Sequence, residues 1–242
     1  MVSTCHLSSH EGNLIEDEHL FRSIVGTRPD IAFAVKKVCQ FMHKPLDSHF
    51  KAVKRILRYL QGTLSHGLQF TRSSKFLLEG YSDASWGSDS DDRRSTSGFC
   101  VFFGGNLVSW SSCKQQVVSR STVEAEYRSL AHVTTEMIWI QSLLSELSAP
   151  IKVKALVWCD SSAAVAVASN PVMHSKFKHV ELNLFFVREK VAEGSLQVGH
   201  VSSQDQVADI LTKPLSIRLF GKFRSQLRVV SGDHVPLSMK GS

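Results

Sequence analysis

Four carboxylates, placed where carboxylates are costly, constrain this chain more than any other feature. Asp83 ends the run Leu77-Leu78-Glu79-Gly80-Tyr81-Ser82-Asp83, and Asp160 ends Ala155-Leu156-Val157-Trp158-Cys159-Asp160. Glu126 lies on an apolar stripe of helical period with Leu130, Val133, Met137, Ile140 and Leu144, and Asp209 opens a helical pattern in Gln206-Val207-Ala208-Asp209-Ile210-Leu211. An unpaired ionised carboxylate is not tolerated in a core. Several at the ends of core elements make sense if they converge on a divalent cation, because Mg²⁺ favours carboxylate and water oxygens together with substrate phosphates. Each also has a plainer reading. Asp83 can close a turn, Asp160 can cap a helix beginning near Ser162, Asp209 can be a solvated residue in a first helical turn, and Glu126 can be a half-buried carboxylate bonded to Tyr or Ser. The joint placement, more than any one of the four, carries the metal reading.

Spacing separates Glu126 from its neighbour Glu124. Ser121-Thr122-Val123-Glu124 fits a capping box, and Glu124 stands four residues before Arg128, a favourable pair on an exposed helix face. Glu126 falls instead on the core-facing row and needs a partner there.

The strand pattern surrounds these residues. Segments 76–83, 98–103 and 107–111 read as strands, with Gly104-Gly105-Asn106 as a hairpin signal between the last two. A long helix follows over 121–147, then a strand over 154–160, a small-residue helix over 162–168 broken at Asn170-Pro171, a helix marked by Val180, Leu184, Val187 and Val191, and a strand over 195–201. A helix over 204–213 stops at Pro214, and Ile217, Phe220, Phe223 and Leu227 mark another. Hairpins first and crossovers later imply an α/β fold, a mixed sheet with helices on its faces. Upstream, the first 25 or so residues read as a polar lead-in. Thr27-Arg28-Pro29-Asp30 starts a helix carrying Ile31, Val35, Val38 and Met42, and Pro45 stops it. A second helix, capped by Asp47 or Ser48, has Phe50, Val53, Leu57 and Leu60 on its apolar face. Residues 62–74 read as a loop and a domain boundary.

Charge suggests a partner. The net charge of +6 leans towards a polyanion. Lys51, Lys54, Arg55 and Arg58 line one side of the second helix, either as a solvated face or as phosphate contacts. Arg93, Arg94 and Lys114 have the same two readings. His174 and His179, with Lys176 and Lys178 between them, lack further zinc ligands and fit a basic loop near phosphates better than a zinc site. Trp86 and Trp110 read as core or sheet residues. Five scattered cysteines without a C-x-x-C spacing suggest a reducing, intracellular setting, cytoplasmic or nuclear. No apolar run approaches the roughly 20 residues of a membrane span, and a secretory leader is not expected.

Motifs in order then show a resemblance. Gly80-Tyr81-Ser82-Asp83-Ala84-Ser85-Trp86, Asp92-Arg93-Arg94-Ser95-Thr96-Ser97-Gly98 and Ser109-Trp110-Ser111-Ser112-Cys113-Lys114-Gln115 resemble the ribonuclease H region of copia-type retrotransposon Pol polyproteins. So do Glu124-Ala125-Glu126-Tyr127, Trp158-Cys159-Asp160, Lys178-His179-Val180-Glu181 and Ala208-Asp209-Ile210-Leu211-Thr212-Lys213-Pro214-Leu215. Thr27-Arg28-Pro29-Asp30-Ile31-Ala32 and Lys54-Arg55-Ile56-Leu57-Arg58-Tyr59-Leu60 are similar to the end of the preceding reverse transcriptase. The similarity runs from about residue 20 to residue 228. It implies a ribonuclease H-like fold, a five-stranded mixed sheet with helices on both faces, over 75–228. A helical remnant of the polymerase over 1–74 would precede it, and a flexible tail over 229–242 would follow. It also implies cleavage of the RNA strand of RNA–DNA hybrids, with Asp83, Glu126, Asp160 and Asp209 holding two Mg²⁺ or Mn²⁺ ions. Lys51, Lys54, Arg55, Arg58, Arg93, Arg94, Lys114, Lys176 and Lys178 are the expected nucleic-acid contacts, and an upstream reverse transcriptase domain is a second expected partner. The chain departs from the family at Cys159-Asp160-Ser161, where Cys-Asp-Asn is usual, and His200 is only an approximate match to the histidine that many ribonucleases H carry before the last Asp. A second reading keeps the fold and nucleic-acid binding but gives up cleavage, as in a retroelement relic.

Overall fold

The structure, a computed structural model, describes residues 28–149, 151, 153–169 and 181–232. The polar lead-in and the loop with His174, Lys176, Lys178 and His179 lie outside the described residues, as does the tail beyond residue 232. A 3₁₀ turn at Pro29–Ile31 leads into α1 (Ala32–Cys39) and α2 (Asp47–Gln61), followed by β1 (His66–Leu68). Then come β2 (Leu78–Ser85), β3 (Thr96–Phe103), β4 (Asn106–Lys114), α3 (Thr122–Glu146), β5 (Ala155–Cys159), α4 (Ser162–Ser169), α5 (Glu181–Ala192) and β6 (Leu196–His200). A 3₁₀ segment at Val207–Leu211, α6 (Ile217–Gln226) and β7 (Val229–Ser231) complete the order. The described residues form two compact units, one within 71–213 and one made of 28–70 with 214–232.

In the unit 71–213 the sheet order is β4-β3-β2-β5-β6. β2, β3 and β4 form an antiparallel meander, whereas β5 runs parallel to β2 and β6 parallel to β5. This is the five-stranded mixed sheet of a ribonuclease H-like fold. The β3–β4 turn has Phe103 paired with Asn106, so Gly104 and Gly105 are its two central residues. Their φ values of 58° and 77° are those of a type I′ turn, whose twist matches the flanking strands. α3, α4 and α5 share one apolar cluster with one face of the sheet, in which Leu78, Val101, Leu130, Val133, Met137, Val157, Val167, Val187 and Val198 are buried.

Two glycines set how closely helical segments approach the sheet from either side. A Cβ on Gly80 would lie 2.8 Å from Met137 Sδ and 2.9 Å from Val133 Cγ2, so α3 lies directly on β2. A Cβ on Gly98 would lie 2.6 Å from Thr212 Cγ2 and 2.8 Å from Leu211 Cβ. Gly98 pairs with Asp83, three residues beyond Gly80, and side chains alternate along a strand, so the two glycines serve opposite faces. Helical structure thus covers both faces, with the 3₁₀ segment on the side of Asp83. The α-helix expected over 204–213 is this short 3₁₀ segment instead. Its bonds run from Asp209 N to Gln206 O and from Thr212 N to Asp209 O, while the Gln206 side chain accepts from Ala208 N.

In the other unit, α1 and α2 pack Ile31, Val38, Phe41, Val53 and Ile56 together. Ile56 takes the buried place expected of Leu57, which is 38% exposed. The N-cap of α2 is Leu46, not Asp47 or Ser48. Its N–H donates to Nδ1 of buried His49, whose ring stacks on Phe41. Arg28 holds Asp30 through two bonds of 2.8 and 2.7 Å, and Tyr59 Oη donates to Asp30 at 2.6 Å. Arg224 Nη1 donates to Tyr59 Oη, and β7 pairs antiparallel with β1. These contacts place α6 in the same compact unit as α1 and α2, whereas the resemblance drew it into 75–228. They also make Val229–Ser231 a strand, where a loose tail was expected. Among the described residues, no helix is long and apolar enough to cross a membrane.

Candidate active site

β2 and the 3₁₀ segment bring the first two carboxylates together. Gln206 Nε2 donates to Ser82 O at 2.9 Å, which ties the segment to β2. Thr212 Oγ1 donates to Asp83 Oδ2. Asp209 therefore sits beside Asp83. Asp160 follows the last residue of β5, and β5 runs parallel to β2 with Ser82 opposite Cys159, so Asp160 reaches the same end of the sheet. One carboxylate oxygen from each of Asp83, Asp160 and Asp209 lies within 4.8 Å of the others.

Glu126 arrives from α3, on the opposite face. Leu130, Val133, Met137 and Ile140 of its row are buried, and Glu126 itself is 8% exposed. It groups with Asp160 and Cys159 within the same 4.8 Å limit, and Glu126 Oε2 lies 4.0 Å from Cys159 Sγ. Asp160 thus belongs to both groups. Glu124 has other partners. It accepts from Arg128 Nη2 at 2.8 Å and from Arg120 N at 2.9 Å, while its own N–H donates to Ser121 Oγ. The cap forms, but the glutamate reaches back one residue further than a capping box requires. The pair with Arg128 is buried at Glu124, not exposed as its spacing suggested.

The crowding shows in proton affinity. Burial pushes Glu126 up to about 9, reinforced by the like charges of Asp83 and Asp160. Burial likewise raises Asp209 to about 7, reinforced by Asp83 and opposed by Lys213. Asp83 is also raised, by burial above all, although the Lys213 ammonium and the Thr212 hydroxyl pull it down. Burial pulls Lys213 towards neutrality, but Asp83 and Asp209 outweigh that and raise it. The cluster therefore has too little positive charge to ionise fully at ordinary pH. An all-oxygen set of this kind fits a hard divalent cation, which would supply that charge.

Other groups hold the site in place. Ser203 Oγ donates to Asp160 Oδ2 at 3.0 Å, and Ser129 Oγ donates to Asp83 O at 2.8 Å. His200 Nε2 lies 3.2 Å from the backbone oxygen of Asp160, so it meets that residue through the main chain. Sequence reasoning passed over Lys213, Thr212, Gln206 and Ser203. Only Lys213 left a signal, its spacing of four from Asp209.

The expected phosphate contacts divide. Lys51, Lys54, Arg55 and Arg58 form an exposed face of α2. Lys114 is held by Asp89 at 3.0 Å and Asp92 at 2.8 Å, and Arg94 by Asp92 at 3.4 Å, so these two brace the β2–β3 loop. Arg93 is exposed, with a φ of 60°. Trp86, expected in the core or sheet, is 50% exposed, with its indole N–H donating to Ser119 O. Lys176 and Lys178 lie outside the described residues.

The sheet order and the carboxylates gathered at the ends of β2 and β5 define a ribonuclease H-like protein. No protein-family model matches the chain. It is 43% identical over 248 residues to the retrovirus-related Pol polyprotein from transposon RE2 of Arabidopsis thaliana, covering 100% of this chain and 17% of that protein. It is 45% identical over 236 residues to the Pol polyprotein from transposon RE1 of the same plant, covering 95% of this chain and 16% of that protein. Among solved structures, LC11-RNase H1 in complex with an RNA/DNA hybrid is similar at a TM-score of 0.43 and 16% identity, over 56% of this chain and 93% of that one. By sequence, the chain's relatives are thus retrovirus-related Pol polyproteins of transposons. The chain spans less than a fifth of the length of these two relatives.

Proposed function

We propose that this chain is a ribonuclease H that hydrolyses the RNA strand of RNA–DNA hybrids, with Asp83, Glu126, Asp160 and Asp209 holding two divalent ions, Mg²⁺ or Mn²⁺. The observation that carries the reading is the convergence of Asp83, Asp160 and Asp209 within 4.8 Å from three separate segments, with Glu126 joined to them through Asp160. Bound divalent ions would supply the Lewis acidity that makes water a nucleophile and stabilises the leaving 3′ oxygen. The chain's own part is placement. β2 and β5 present Asp83 and Asp160 side by side, Gln206 and Thr212 fix Asp209 against them, and Ser203 sets one oxygen of Asp160. Selectivity for the hybrid would come from 2′-hydroxyls on one strand and from the shape of the minor groove. The exposed cations of α2 would add affinity through phosphates. An upstream reverse transcriptase domain is the natural partner, delivering the hybrid it makes.

The test is a hybrid labelled on its RNA strand, incubated with the protein and Mg²⁺ and then with excess EDTA. RNA cleavage that needs the metal and spares the DNA strand is the expected result. Retention of the hybrid without any product would favour the relic reading, which keeps the fold and loses the chemistry.

A further inference from the structure

An ammonium group already sits among the carboxylates. Lys213 Nζ lies 2.9 Å from Asp209 Oδ1 and 3.6 Å from Asp83 Oδ1. Its backbone fixes it there, since Lys213 N donates to Asp209 O at 3.1 Å and the adjacent Thr212 hydroxyl donates to Asp83. The two carboxylate side chains are 8% and 2% exposed, whereas the lysine side chain is 36% exposed. The amine is thus held by the cluster, although the lysine side chain as a whole stays partly exposed.

A divalent ion bound to these residues would need the same oxygens at roughly 2.0–2.1 Å for Mg²⁺. A cation at that distance from Asp209 Oδ1 and an ammonium at hydrogen-bond distance from it repel one another across a poorly screened gap. Both cannot hold the oxygen at full strength. The partly exposed lysine can leave, whereas Asp209 is one of the oxygens that the proposed site uses. We propose that Lys213 is a tethered cation that neutralises Asp83 and Asp209 in the metal-free protein and is displaced when a divalent ion binds. It thereby sets the ion concentration at which the site fills. The inference rests on the proposed metal site and adds to it an internal competitor. Lys213 is a positioning residue here, since it acts through the two carboxylates.

The experiment is Mn²⁺ binding to the full chain without nucleic acid, followed by electron paramagnetic resonance of the free ion. Lys213→Met removes the competing charge and should tighten Mn²⁺ binding by about tenfold. Lys213→Arg keeps the charge and should stay much nearer to wild type. If wild type binds Mn²⁺ and Lys213→Met binds it equally or more weakly, the competitor role is wrong while the metal site stands. If wild type binds no Mn²⁺, the proposed function fails as well. A second measurement needs no variant. Acylation of Lys213 in wild type, read by mass spectrometry, should rise with added Mg²⁺ in step with filling of the site, and labelling that ignores Mg²⁺ overturns the displacement.

Discussion

Gly98 leaves room for Thr212: a Cβ at position 98 would come within 2.6 Å of Thr212 Cγ2 and 3.2 Å of the Leu211 carbonyl carbon. The absence of a side chain on β3 is what lets the 3₁₀ segment lie against the sheet and carry Asp209 to Asp83. Gly98→Ala should therefore cost about 1–3 kcal/mol, the usual range for overpacking. It should also push Asp209 away from Asp83, so divalent metal should no longer raise the melting temperature of the variant as it does that of wild type. Thermal unfolding of both proteins with and without Mg²⁺ measures this. Equal metal-induced shifts would show that Gly98 does not position the site.

The strands were legible because β2 to β6 alternate or run apolar between strong turn signals, and Gly104-Gly105 named its own turn. Glu126 was separable from Glu124 because a helix repeats every 3.6 residues, so one glutamate lines up with Leu130 and the other with Arg128. The 3₁₀ segment was not legible, since Val207, Ala208, Ile210 and Leu211 satisfy an α-helical pattern equally well. What decides it is the side-chain bonding of Gln206 and Thr212 to β2, more than 120 residues away in sequence. The division into compact units was hidden for a similar reason. β1 is only three residues, His66–Leu68, too short to show a period, and its partner β7 falls where a loose tail was expected. The engagement of Arg94 and Lys114 by Asp89 and Asp92 depends on a loop conformation that composition does not encode.

Metal-free stability should fall as pH rises. Glu126 and Asp209 have folded values of about 9 and about 7, above their ordinary 4.5 and 3.8. A group raised in this way contributes its full share below the unfolded value and loses it as pH climbs through the folded one. The window is therefore about pH 5 to 9 for Glu126, with the contribution of Asp209 lost by about pH 7 to 8. Urea unfolding in EDTA should show wild type losing stability relative to Glu126→Gln across that window, and saturating Mg²⁺ should remove much of the difference. Parallel pH curves for the two proteins would contradict the crowding of the site.

Binding should depend on salt through the exposed cations of α2. Replacing Lys54 and Arg58 by Gln should weaken hybrid binding and reduce the slope of log affinity against log salt, by about one unit for each phosphate no longer neutralised. Replacing Arg94, already engaged by Asp92, should change the slope less. Filter binding over a range of KCl concentrations separates the two, and an unchanged slope after removal of Lys54 and Arg58 would make that face merely solvated.

The two glutamates of α3 allow a test of the site against the scaffold. Glu124 caps the helix and pairs with Arg128, and neither contact reaches the carboxylate cluster. Glu124→Gln should cost about 0.5–1 kcal/mol of stability, the scale of a helix-end charge pair, and leave cleavage within a few-fold of wild type. Glu126→Gln should behave in the opposite way. At pH 8 the buried Glu126 carboxyl must keep a proton that the unfolded chain has released, so the metal-free variant should be as stable as wild type or more so. Cleavage should fall by roughly 100-fold or more, since one charged ligand of a metal site stands for several kcal/mol of charge stabilisation. Melting temperature and initial cleavage rate, measured on both variants in one buffer, give the comparison. If Glu124→Gln loses cleavage and Glu126→Gln keeps it, the assignment of the glutamate is reversed, and the grouping of Glu126 with Asp160 and Cys159 is structural only.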